Sequence, residues 1–136
     1  SDRSGRALAL VFIDMDGLKR INDTLGHGEG DRAICDAAAV IKRSFRASDI
    51  VARIGGDEFV ALSVEANQQT EAHIVERLQE NINAFNLDSG RPFRLAMSYG
   101  VALYDPHAAC TLDELLERGD RLMYEQKQAK RAAREV

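Results

Sequence analysis

The sequence is short of everything that would staple it, anchor it or attract a polyanion to it. It has two cysteines, Cys35 and Cys110, which form no CxxC pair and no metal-type spacing. That count fits a reducing setting. Cys35 lies in an apolar helical stretch and reads as a buried thiol. The two prolines are too few for a Pro-rich linker. No apolar run reaches the ~18–20 residues of a membrane span, and no signal peptide opens the chain. There is no basic surplus, because the net charge is −4. That excludes binding of a nucleic-acid polymer by bulk charge and makes any phosphate site a local affair. The expected location is cytoplasmic, with no membrane contact from this stretch. A longer parent protein could still carry an anchor.

What is present is an ordinary globular composition, 45% hydrophobic and 29% charged over 136 residues. A chain near this length buries roughly 68% of its unfolded surface, enough for one core. The expectation is a single domain over residues 1–136, drawn from a longer multidomain signalling protein.

The apolar run from Ala7 to Ile13 predicts a strand buried on both faces and ending in Asp14. Leu18, Ile21 and Leu25 predict a short helix stopped by Gly26. A second helix is predicted from near Gly30-Asp31, with Ile34, Ala38, Ile41 and Phe45 facing inward. Residues 50–54 and 59–64 read as strands joined by Gly55-Gly56-Asp57-Glu58. This is a hairpin in which the glycines would supply positive φ. Thr70 is the expected cap of a helix carrying Ile74, Leu78, Ile82 and Phe85. Residues 93–104 read as a further strand with a bulge at Gly100. Thr111 and Glu114 match a capping box, followed by a face of Leu112, Leu115, Leu116, Leu122 and Met123. The order β-α-α-β-β-α-β-α, with a hairpin inside it, predicts an α+β fold. Its central sheet is mostly antiparallel and flanked by helices.

Asp14 and Asp16 follow a buried strand, while Asp57 and Glu58 sit at a hairpin tip. If those elements are neighbours, three or four carboxylates converge at one rim. Close carboxylates repel unless a cation neutralises them, and all-oxygen ligands select a hard ion such as Mg2+. Gly55 and Gly56 would let a phosphate approach their N–H groups. Taken singly, each cluster is an ordinary acidic turn. A buried strand ending in acid, combined with a Gly-Gly-acid-acid tip, is costly to arrange without purpose.

At these residues the sequence resembles a known family. Arg53-Ile54-Gly55-Gly56-Asp57-Glu58-Phe59 is similar to the signature of GGDEF-domain diguanylate cyclases. Asp14-Met15-Asp16-Gly17-Leu18-Lys19-Arg20-Ile21-Asn22-Asp23 resembles that family's D-x-D-x-F-K-x-I-N-D motif. Gly26-His27-Gly28-Glu29-Gly30-Asp31 resembles its G-H-x-x-G-D segment, and Ser98-Tyr99-Gly100-Val101-Ala102 its S-x-G-V-A strand. The motifs run in order from about Ala7 to Arg131. The resemblance implies a fold like that of nucleotide cyclases and polymerase palms, which is ferredoxin-like. It also implies an enzyme that condenses two GTP molecules into cyclic di-GMP, releasing pyrophosphate, across a homodimer.

By the same resemblance Asp14, Asp57, Glu58 and the Met15 carbonyl would bind Mg2+, with Mn2+ as an alternative. Asp57 would accept the 3′-hydroxyl proton and Glu58 would assist at the metal. Asn22 and Asp31 would read guanine, whose N1–H and amino group an Asp can accept. His27 would lie beside the nucleotide. Lys127 and Arg131, four apart on one helix face, would hold the β- and γ-phosphates together with Lys19. Arg46-Ala47-Ser48-Asp49 matches an R-x-x-D site at which the product inhibits, with Arg77 as a second arginine. Taken alone, the cations read as a solvated basic face, His27 as a loop residue, Asp31 as a helix N-terminal acid and Arg46–Asp49 as a surface pair. Three departures stand out. Leu18 replaces a common aromatic, Lys130 replaces a usual glycine, and the family's usual helix before the first strand is missing as a truncation would leave it. A competing reading is a catalytically silent module that binds GTP or cyclic di-GMP, which is usually marked by a broken acidic motif. Here Asp57 and Glu58 are both present.

Overall fold

The strand β1 (Ala7–Met15) organises the fold. The computed structural model describes residues 7–66, 69–104 and 110–134, so the opening residues 1–6 lie outside the described residues. β1 pairs antiparallel with β3 (Glu58–Ala66) on one side and with β4 (Met97–Tyr104) on the other. β2 (Ile50–Arg53) adds antiparallel to the outer side of β3, giving the order β2-β3-β1-β4. Between the strands run α1 (Leu18–Leu25), α2 (His27–Arg43) and α3 (Thr70–Asp88), and α4 (Leu112–Arg134) follows β4. The predicted element order and antiparallel sheet are both present.

Successive strand side chains alternate between faces, which explains the uninterrupted apolar run of β1. Ala9, Val11, Ile13 and Met15 enter the larger core with Ala33, Ala37 and Val40 of α2 and Leu78 and Ile82 of α3. Leu10 points to the opposite face, where it packs with Ala102 and with Leu115 of α4. No described helix is long and apolar enough to cross a membrane.

Several local readings are corrected. α2 starts at His27, because Gly26 (φ 93°) ends α1 and opens α2 in a single residue. Its inward stripe is Ala33, Ala37, Val40 and Ile41, while Ile34 and Ala38 are only partly buried. Cys35 is about 200° round the helix from Ala33 and is exposed rather than buried. Thr70 is the first helical residue of α3, with Gln69 in the cap position. The Gly-Gly turn needs no positive φ, since among the described glycines only Gly17, Gly26 and Gly90 have one. Arg53 braces that turn instead, with Nε donating to the Gly55 carbonyl at 3.0 Å and Nη2 to the Gly56 carbonyl at 3.0 Å.

β4 begins at Met97, later than predicted. Residue 95 is met by a side chain in place of a strand. Asn86 Nδ2 donates to the Leu95 carbonyl at 2.9 Å, and the Leu95 N–H donates to Asn86 Oδ1 at 2.8 Å. The capping box of α4 is formed in both directions. The Thr111 N–H donates to Glu114 Oε1 at 2.9 Å, and the Glu114 N–H donates to Thr111 Oγ1 at 3.1 Å. Leu112, just inside that cap, is exposed.

Gly100 makes no bulge, because β4 keeps register with β1 from Leu8↔Tyr104 to Met15↔Met97. Its purpose is close approach. A Cβ there would lie 2.5 Å from the Met123 nitrogen and closer still to the Gly119 carbonyl. On the facing helix, a Cβ at Gly119 would meet Leu10 Cδ2 at 3.2 Å. Glycine on both surfaces lets α4 rest on the strand backbone. Gly100→Ala should therefore cost about 3 kcal/mol in urea unfolding through overpacking. Gly56→Ala, whose Cβ would meet nothing within 4 Å, should cost little.

Candidate active site

Asp14 lies on the α4 side of β1, two residues beyond Phe12. Its backbone partner across the ladder is Glu58, and the Met15 N–H donates to the Asp57 carbonyl at 2.9 Å. These contacts fix the hairpin tip beside the strand end, so the two acidic motifs meet. Asp14 is 7% exposed, and its Oδ1 is buried without a hydrogen-bond partner. Burial, reinforced by the charge of Asp57, pushes its carboxyl up to about 6, and the hydrogen bond from Lys127 works the other way. Lys127 Nζ donates to Asp14 Oδ2.

Asp16 has partners of its own. Its Oδ1 accepts from Ser98 Oγ at 2.8 Å and its Oδ2 from Lys130 Nζ at 2.8 Å, while its N–H donates to the Ala96 carbonyl at 2.7 Å. Glu58 folds back over the turn, where its Oε1 would be 3.1 Å from a Cβ on Gly55. No three His, Cys, Asp or Glu side chains among the described residues are arranged as a cation's ligand set. Asp14 therefore stands next to Asp57, with Asp16 on the far side of Lys127 and Glu58 folded over the turn.

A cavity of about 520 Å³ opens here, lined by Met15, Asp57, Lys19, Lys127, Lys130 and Arg131 among others. The expected cations therefore share one hollow with Asp57 and Asp16, and Asp14 lies behind it, bonded to Lys127. Asn22, His27 and Asp31 lie outside it. Asn22 is half-buried on α1 and rests against Gly30 of α2, where a Cβ would overlap its amide oxygen. Asp31 and His27 are exposed on α2. The contact of α1 with α2 thus brings Asn22 within one residue of Asp31.

The second predicted site is a separate cavity of about 190 Å³ lined by Arg46, Asp49, Arg77, His73 and Ser63 among others. Arg46 is tied down inside it. Its Nη2 donates to the Val64 carbonyl at 2.8 Å, Ser63 Oγ at 3.3 Å and Asp49 Oδ1 at 3.3 Å. The Arg46 N–H also donates to Asp49 Oδ2 at 2.8 Å.

Sequence reasoning missed the contacts of Lys130 and Ser98 with Asp16. Lys130 was legible only as a departure from a motif. Its spacing of three from Lys127 was the available signal, because it places both on one side of α4.

The family profile described as "Diguanylate cyclase, GGDEF domain" matches residues 1–133. The chain is 39% identical over 126 residues to the bifunctional diguanylate cyclase/cyclic di-GMP phosphodiesterase MucR of Pseudomonas aeruginosa, covering 92% of this chain and 18% of MucR. It is 36% identical over 128 residues to the probable diguanylate cyclase DgcJ of Escherichia coli, covering 94% of this chain and 25% of DgcJ. It therefore spans a quarter or less of the length of these relatives. The solved GGDEF domain of TpbB from Pseudomonas aeruginosa superposes with a TM-score of 0.81 at 36% identity, covering 94% of this chain and 74% of that one. The GGDEF domain of DgcB from Caulobacter crescentus, solved in complex with c-di-GMP, gives a TM-score of 0.81 at 27% identity, covering 93% and 75%. With a profile spanning nearly its whole length and the same fold in a solved domain more than a third identical, the chain belongs to the GGDEF family of diguanylate cyclases.

Proposed function

We propose that this domain is a diguanylate cyclase that condenses two GTP molecules into cyclic di-GMP, with release of pyrophosphate. The observation that carries the reading is Asp14. Its buried, unpartnered oxygen belongs to a carboxylate that feels the charge of Asp57 and accepts from Lys127, and Asp57 and Lys127 line a cavity with Lys19 and Arg131. Such an oxygen and a carboxyl held near 6 suit a divalent cation, which would satisfy the one and lower the other. Asp14, Asp57 and the Met15 carbonyl would hold Mg2+ or Mn2+, with Glu58 assisting after it turns from Gly55. When bound, such an ion neutralises charge developing on the phosphate.

The chain's own residues account for the remaining tasks. Lys19, Lys127 and Arg131 hold the β- and γ-phosphates. The backbone of Gly56 is clear of side chains and open to phosphate, whereas the Gly55 N–H donates to the Glu58 carbonyl at 3.4 Å and is reached once the Glu58 side chain turns away. Asn22 and Asp31 address the guanine edge and His27 flanks the nucleotide. The 3′-hydroxyl oxygen of one GTP forms a bond to the α-phosphorus of the other, the α–β phosphoanhydride bond breaks, and the proton passes to Asp57. One chain presents one such site, so two chains face each other as a homodimer for the reciprocal step. Arg46, Asp49 and Arg77 form the product-inhibition site, where an arginine fork suits phosphate and the Hoogsteen edge of guanine.

Asp57→Ala should lower cyclic di-GMP formation by about a hundredfold or more, read by chromatography of products from GTP and Mg2+. Turnover close to that of the unaltered chain would overturn the assignment. Arg46→Ala should leave turnover intact and raise the concentration of cyclic di-GMP needed for half-inhibition by about tenfold or more.

Asp14 gives a pH-dependent prediction. Its folded value of about 6 lies above the ordinary 3.8, so ionised Asp14 opposes folding at neutral pH, and that penalty fades as pH falls through about 6. In chelator, Asp14→Asn should therefore melt above the unaltered chain at pH 7, with the gap narrowing as pH falls below about 6 and closing near pH 4. Added Mg2+ should raise the Tm of the unaltered chain and not that of the variant.

A further inference from the structure

Asp16 is the acidic group at this site that has no task in the proposed reaction, yet it is the most fully engaged. Its side chain is 8% exposed, and it is held by Ser98 of β4 and by Lys130 of α4. Lys130 also donates to the Met97 carbonyl at the start of β4, so its head group is fixed on two sides. It lines the phosphate cavity on one flank and a second cavity, shared with Asn86 and Gln79, on the other. In the family's motif this position usually carries glycine, so the contact belongs to this chain and not to the motif.

Lys127 stands between the two carboxylates. It donates to Asp14, and its Nζ is also 4.0 Å from Asp16 Oδ1. A buried carboxylate stripped of its cation is costly, and the nearest replacement is taken up. We propose that Lys130 is a positioning residue of the triphosphate site. It acts through Asp16 by satisfying that carboxylate, and so keeps Lys127 available to Asp14 and to phosphate. Without Lys130, Lys127 shifts toward Asp16 and the triphosphate loses its cation. The inference rests on the GTP site proposed above.

The test is calorimetric titration of Mg2+ and a GTP analogue with a methylene between the α- and β-phosphates. Lys130→Met should bind about tenfold more weakly, and Lys130→Arg should restore most of that loss. In an Asp16→Asn background, where no carboxylate competes for Lys127, Lys130→Met should change affinity little. A merely structural lysine would not show this dependence on Asp16, and a lysine that touches phosphate itself would lose affinity equally in both backgrounds. Either equal losses or full affinity in Lys130→Met would overturn the proposal while leaving the GTP site standing. Failure of the unaltered chain to bind the analogue would overturn both. Thermal melts establish that each variant is folded, and Lys130→Gln replaces Lys130→Met if the latter is not.

Discussion

Everything at the site depends on how closely α4 lies against the sheet. Gly100 on β4 and Gly119 on α4 remove the side chains that would hold the layers apart, and the helix backbone settles on the strand backbone. From that contact outward, both surfaces change character together. On α4 the stripe runs Leu115, Gly119, Met123, Lys127 and Arg131, at helical spacing. On β1 the facing side runs Leu10, Phe12 and Asp14. The helix turns basic where the strand turns acidic, because both leave the core at the same end. The Lys127–Asp14 pair is the first polar contact after the last apolar one.

This arrangement supplies two of the acids at the centre with cations from the same helix. Asp14 is matched by Lys127 and Asp16 by Lys130. The match is incomplete at Asp14, whose second oxygen stays buried and unbonded and whose carboxyl remains raised despite its lysine. Desolvation outweighs the single cation there. The same lysines that quiet the centre also rim the cavity, so their contacts set both its charge and its width.

Much of this was legible in the sequence wherever a period or a fixed spacing carried it. The buried run of β1, the hairpin and the Thr111–Glu114 box are local patterns, and they formed where expected. The convergence of Asp14 with Asp57 was conditional on β1 and β3 being neighbours, which they are. What the sequence hid was long-range or rotational. The inward face of α2 turns on its small alanines, which pass for filler beside Ile34. Cys35 was judged by its apolar neighbours in sequence, but its angle round the helix decides its exposure. Gly100 showed as an irregularity, while its cause, the α4 backbone, lies about twenty residues on. Asp16 owes its orientation to Ser98 and Lys130, more than eighty residues away, and no window could place them together.

Asn22 and Gly30 raise a further point about how a substitution travels. The amide of Asn22 occupies the space where a side chain on Gly30 would stand. Position 30 is therefore part of the definition of position 22, though it contributes no functional group of its own. A library that varied Asn22 while holding Gly30 would sample only amides and shapes that fit against a bare backbone. One that varied Gly30 would evict Asn22 and be scored as a change of α2. The two positions form a single heritable unit, to be altered together or not at all.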